Sequence, residues 1–292
     1  MKELLLNDIF ITVAETVSYV FGAFVMFFIG KIVYDLIHKK IDVKSELVEK
    51  DNFAFSIAHT GYLAGLLLAI GSSIVGPSNG ILYDFIDMAI YGGISIILLN
   101  LSVIICDKVI FHKFSVYKEI IEDRNEGTAV VEGAIAMASG LIIFGAVSGE
   151  SNGVAHGILT AVVFWGVGQI ALILTAILYN FTLSYNVSDE IEKDNVAVGV
   201  SFAGILIAVG NLIRFAVSGD FHSWSESFTN IGIDLLLGLL LLPVVRFLAD
   251  RVLLPGRKIT DELVNQEKPN VGVALIEAFS YIGGSVLITW CL

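Results

Sequence analysis

Eight stretches of mostly apolar residues follow one another along the chain, and short polar segments separate them. Their cores fall at residues 10–34, 53–75, 83–105, 127–147, 155–180, 196–217, 228–249 and 271–291. A helix of about 20 apolar residues crosses the hydrocarbon of a bilayer, so the pattern predicts eight transmembrane helices. No segment reads as a soluble domain of more than a few turns. The first stretch, Ile9 to Ile37, is too long for a cleaved secretory segment and lacks a small-residue cleavage signal. It is expected to be a retained helix.

Composition agrees with lipid as the main solvent. Of 292 residues 56% are apolar and 16% are charged, where a soluble domain carries about 25% charged residues. The net charge of −12 and the two cysteines argue against a nucleic-acid binder, a secreted enzyme and a disulfide scaffold. Cys106 and Cys291 are expected on opposite sides of the membrane. Charge placement then sets orientation, because Lys and Arg accumulate in short cytoplasmic loops. Fifteen of the seventeen lie in or beside the loops after the first, third, fifth and seventh helices, leaving only Lys2 and Arg214 on the other side. Both termini are therefore expected outside.

Self-similarity subdivides the eight helices. Glu49-Lys-Asp-Asn52 recurs as Glu192-Lys-Asp-Asn195, and Asp107-Lys-Val recurs as Asp250-Arg-Val, both at an offset of 143. The chain thus reads as two four-helix units, residues 1–150 and 151–292. Because four is even, the units enter the membrane the same way and are parallel rather than inverted. Each divides again. Glu-x-x-Asn stands before every even helix, ending at Asn52, Asn125, Asn195 and Asn270, and 24 residues after the first three come Gly76, Gly149 and Gly219. In the fourth copy two extra residues near Asn265 to Pro269 leave the match of its Glu open between Asn265 and Asn270. The fold class is therefore all-α: four helical hairpins of about 73 residues. The repeated Asn suits an N-cap and the repeated Gly a left-handed C-terminal turn, both structural roles.

The repeat also sorts residues by depth. Seven residues after the four Asn stand His59, Glu132, Phe202 and Glu277, two turns into the membrane from the cytoplasmic side. On the odd helices, Glu15, Asp87, Thr160 and Asn230 share an outer level, with Tyr19, Tyr91, Phe164 and Asp234 four residues further in. Glu3, Asp8, Asp84, Glu150, Asp220 and Glu226 make the outer loops acidic. Intramembrane ionisable groups are costly and commonly functional. They suggest a cation or proton route in which Glu15, Asp87 and Asp234 collect and His59, Glu132 and Glu277 bind or relay. A metal ion held by His59 and the two Glu is an alternative use of that layer. The competing structural reading pairs each group for packing, Arg214 with Asp234 or Glu15 and Arg246 with Asp250. Asn100, Gln169 and Asn211 read as interhelical hydrogen-bond partners.

No zinc-protease, Cys-x-x-Cys, P-loop or Gly-x-Ser-x-Gly motif is present, so neither an enzyme nor a cofactor is expected. Ser139 and Asp220 sit in only partial protease-like contexts. Glu46 to Glu49 and Glu119 to Glu122 read as amphipathic half-turns at the interface.

The Glu-x-x-Asn repeat, Val-Ser-Gly-Glu/Asp and Asp250-Arg-Val-Leu-Leu-Pro-Gly256 resemble the YjfL-like bacterial inner-membrane proteins, domain of unknown function 350. Matching segments run from Glu119 to Glu132, Leu141 to Glu150, Glu192 to Asp220 and Leu242 to Gly256, and the likeness spans nearly the whole chain as two units in tandem. It implies a bacterial plasma membrane location and brings no activity or site residues. The expectation is a cation or proton channel or transporter in the lipid bilayer, as a monomer or homodimer. The alternative is a non-transporting scaffold that recruits a protein partner.

Overall fold

In the computed structural model, eight helices are long and apolar enough to cross a membrane. They are α1 (Lys2–Ile37), α2 (Phe53–Gly71), α3 (Ile81–Ile110), α4 (Glu126–Val147), α5 (Val154–Thr182), α6 (Val196–Val217), α7 (Trp224–Leu253) and α8 (Val271–Cys291). The structure describes residues 2–76, 78, 80–149, 151–253, 256 and 258–292, without the side chains of residues 2–8, 245, 249 and 250. Glu150 of the acidic outer loops lies outside the described residues, as do the side chains of Lys2, Glu3, Asp8 and Asp250.

The even helices stand in a row. α4 packs on α2 and α6, α6 packs on α8, and the odd helices flank them, with α3 against α2, α4 and α5, and α7 against α6 and α8. The two parallel units follow each other along this row, joined by α4 and α6. Small residues make the close approach possible. A Cβ on Gly61 would run into the backbone of Gly133, and one on Gly204 into Ala278. Lipid offers no hydrophobic reward for helix contact, so such backbone-to-backbone packing is the main source of cohesion.

The four repeated Asn are N-caps. Asn52, Asn125, Asn195 and Asn270 each accept, through the side-chain oxygen, the N–H three residues on, at 3.0, 2.7, 3.1 and 3.2 Å. A short helical turn precedes each even helix: Ser45–Glu49, Lys118–Glu122, Val187–Glu192 and Ile259–Val264. These turns carry the acid that orients the cap. The side-chain amides of the four Asn donate to Glu46, Glu119, Glu190 and Glu262. These are not the Glu of the Glu-x-x-Asn motif. The fourth copy reaches eight residues back, around Pro269. The other three copies place Asp51, Arg124 and Asp194 at positive φ before the cap, a conformation closed to proline. Asn265 instead donates to Asp261.

The same amides tie neighbouring hairpins together. Asn52 donates to Ile120 O at 3.0 Å, Asn125 to Ile191 O at 2.8 Å and Asn195 to Leu263 O at 3.0 Å. The half-turns therefore lock the row at its cation-rich edge. At the opposite edge Gly149 and Gly219 close their helices with φ of +96° and +120°, values that favour glycine.

Candidate functional site

Two cavities open on opposite faces, the larger between the two units and the smaller within the first. The larger, about 790 Å³, opens on the cation-poor face that charge placement assigns to the outside. Asp84, Asp87, Tyr91, Thr160, Asp220 and Phe221 are among its walls. Tyr19 and Ser78 both donate hydroxyl protons to Asp84. Of the three outer carboxylates named from sequence, only Asp87 lines this cavity. Glu15 is exposed on α1, and Asp234 is half-buried on α7.

The smaller cavity, about 140 Å³, lies near the cation-rich ends of α1, α3 and α4 and is lined by Tyr34, His38, Asp107, Tyr117 and Glu132. The carboxyl groups of Asp107 and Glu132 lie against each other. Oδ1 of Asp107 and Oε2 of Glu132 are buried without a hydrogen-bond partner. Among the described residues, no ion pair includes either group. His38, one residue past α1, stacks on Tyr34 at 4.2 Å. Burial holds its imidazole below the usual histidine range, against the opposing pull of the Tyr34 carbonyl and Asp35.

The other members of the inner layer are placed separately. His59 sits among Tyr34, Phe55 and Tyr62, at ring distances of 4.8, 5.2 and 6.4 Å, with Nδ1 unpartnered. Phe202 stacks on Tyr179 at 5.8 Å. Glu277 accepts from Arg246 at 2.5 Å and from the Ser201 hydroxyl. α6 stands between α4 and α8, so Glu132 and Glu277 occupy different hairpins. Each residue of the layer faces the odd helix of its own hairpin, giving a row of four positions instead of a ring. Among the described residues, no three His, Cys, Asp or Glu side chains are grouped to hold a metal ion.

Arg246 pairs with Glu277 across α7 and α8, while the side chain of Asp250 lies outside the described residues. Arg214 donates from Nε to Asn211 Oδ1 at 3.2 Å, and is bonded to neither Asp234 nor Glu15. Asn100, Gln169 and Asn211 do bridge helices, to Tyr62 at 3.3 Å, to Cys106 at 3.8 Å and to Ser285 at 3.2 Å. Asp107 is the residue sequence reasoning missed as a site member. It served there only as part of a repeated segment beyond the apolar core that ends at residue 105, whereas α3 continues to Ile110 and keeps it beside Glu132.

No curated protein and no solved structure matches the chain. A family model described as Domain of Unknown Function (DUF350) matches residues 5–147 and 153–292, one match on each four-helix unit. Two copies of one four-helix domain in tandem, built as a single row of hairpins, place the chain in the DUF350 family.

Proposed function

We propose that the protein moves protons or small cations across a bacterial plasma membrane through its first four-helix unit. One contrast supports this reading. The second unit neutralises its intramembrane acid with Arg246, as a packing element does. The first unit leaves Asp107 and Glu132 facing each other and a cavity, with an unpartnered oxygen on each. Uncompensated buried acid costs stability, and its common use in membranes is ion or proton transfer. The acidic outer cavity would raise the local concentration of cations at the opposite entrance.

The test is flux through purified protein in liposomes under imposed gradients of H⁺, Na⁺, K⁺, divalent ions and polyamines. Wild type should dissipate at least one gradient, and Glu132→Gln or Asp107→Asn should slow it at least tenfold. Folded, monodisperse protein that passes none of them overturns the proposal. That outcome favours the scaffold reading, in which disrupting Tyr117 to Glu122 would release a co-purifying partner.

A further inference from the structure

The two cavities approach each other along α3 and α4 without meeting. On α4 the outer cavity reaches Ala146 and the inner one Ala136. The ten residues between them amount to about 15 Å. On α3 the limits are Tyr91 and Val103, about 18 Å apart by the same rise.

The interval has an ordered content. On α3, Met88, Ser95, Leu99 and Val103 share one face. On α4, Glu132, Ala136, Ser139, Ile143 and Ala146 do the same. Both stripes start at one cavity and end at the other. Ser95 and Ser139 are fully buried, and neither hydroxyl has a hydrogen-bond partner. That is unusual for this chain. Ser18, Ser56, Ser102 and Ser280 all donate to the carbonyl four residues back, the ordinary refuge of a helical serine in an apolar setting. On α5, Gln169, which accepts from Cys106 next to Asp107, is 3% exposed and its Nε2 is also unpartnered. Leu99 and Ile143 are fully buried one turn from Ser95 and Ser139, and they belong to one apolar cluster.

Resting on the transport reading, we infer that protons are the transported species, crossing between α3 and α4 along Ser95 and Ser139 to the Asp107–Glu132 pair, with Leu99 and Ile143 as the apolar barrier. A hydroxyl both donates and accepts, so a serine can pass a proton along a transient chain of water. A metal cation would need several oxygens at one point to replace its hydration. The stripe offers single hydroxyls at separate depths.

The experiment measures acidification of liposomes carrying a trapped pH indicator, at clamped membrane potential, with Na⁺ and K⁺ flux measured in parallel. Ser95→Ala and Ser139→Ala, small changes that leave the packing in place, should each lower proton flux at least fivefold. Leu99→Ala or Ile143→Ala should raise it severalfold. If Glu132→Gln stops proton flux while both serine variants and both barrier variants run at the wild-type rate, this route is wrong and the transport reading stands. Flux of Na⁺ or K⁺ matching that of protons overturns the proton assignment. Absence of any flux removes this inference together with the reading beneath it.

Discussion

The side-chain amide of Asn125 donates to the carbonyl of Ile191 at 2.8 Å, 66 residues further on, while its oxygen caps α4 through Thr128 N at 2.7 Å. Asn125 also donates to Glu119 at 2.9 Å. One buried side chain thus starts a helix, fixes the acid before it and fastens the next hairpin. The first three repeats all use this device, whereas Asn270 caps α8 and bonds Glu262 from an exposed position.

The two positions should therefore differ in stability. Asn125→Ala removes a cap, worth about 1 kcal/mol, and strands the buried Glu119 and Ile191 acceptors at about 1–3 kcal/mol more. Asn270→Ala should cost only the cap, about 0.5–1 kcal/mol, because water reaches its partners. Unfolding of the two variants in detergent measures both. Equal losses would show that the link between hairpins contributes nothing.

Close packing of α2 on α4 gives a second contrast. Gly61→Ala forces a Cβ against the Gly133 backbone and should destabilise by about 1–3 kcal/mol, since backbone cannot move aside as a side chain can. Gly93 on α3 has open space around its would-be Cβ. Gly93→Ala should be neutral or should gain about 0.5–1 kcal/mol from reduced backbone freedom. Thermal midpoints of the paired variants check this, and a loss at Gly93 as large as that at Gly61 would contradict the packing account.

The spans and caps were legible in sequence because each depends on local pattern: an apolar run ends where lipid ends, and Asn before such a run satisfies N–H groups that nothing else can. Depth was legible too, since seven residues from a cap fix a height. What spacing could not supply was the lateral arrangement. Four residues at one height fit a ring or a row equally, and only the small residues meeting along α2, α4, α6 and α8 decide for the row. The bond from Arg246 to Glu277 was not legible for the same reason. Arg246 has Asp250 within its own helix, one turn away, and nothing local points to Glu277, 31 positions later on α8. Asp107 was lost at a boundary, because the apolar core of the third span ends at residue 105 while its helix continues to Ile110.

The Arg246–Glu277 pair is expected to behave as a structural unit. Glu277 is 1% exposed, and Arg246 also lies 5.6 Å from the Tyr281 ring centre. Replacing one partner leaves a buried charge uncompensated, at about 3–5 kcal/mol. Arg246→Gln and Glu277→Gln should each destabilise strongly, and the double variant should recover much of the loss. A double-mutant cycle on thermal unfolding reads the coupling, and simple additivity would refute the pairing.

The half-turn before α2 gives a pH dependence with a definite sign. Glu46 is buried, which alone would raise its carboxyl above the usual range. Hydrogen bonds from Lys50 at 2.6 Å and Asn52 at 3.0 Å outweigh that effect and hold it below. A carboxyl whose folded value is depressed binds fewer protons in the folded state than in the unfolded one. Its contribution to stability is fully present above the ordinary glutamate range, about 4 to 5, and is lost as pH falls through the lower folded value. Glu46→Gln keeps the shape and a hydrogen-bonding oxygen but cannot ionise. Wild type should therefore be the more stable of the two at pH 7, and the gap between their thermal midpoints in detergent should narrow as the pH is lowered towards about 3. A gap that stays constant over this range would mean that shape, and not the carboxylate, holds Asn52 in place.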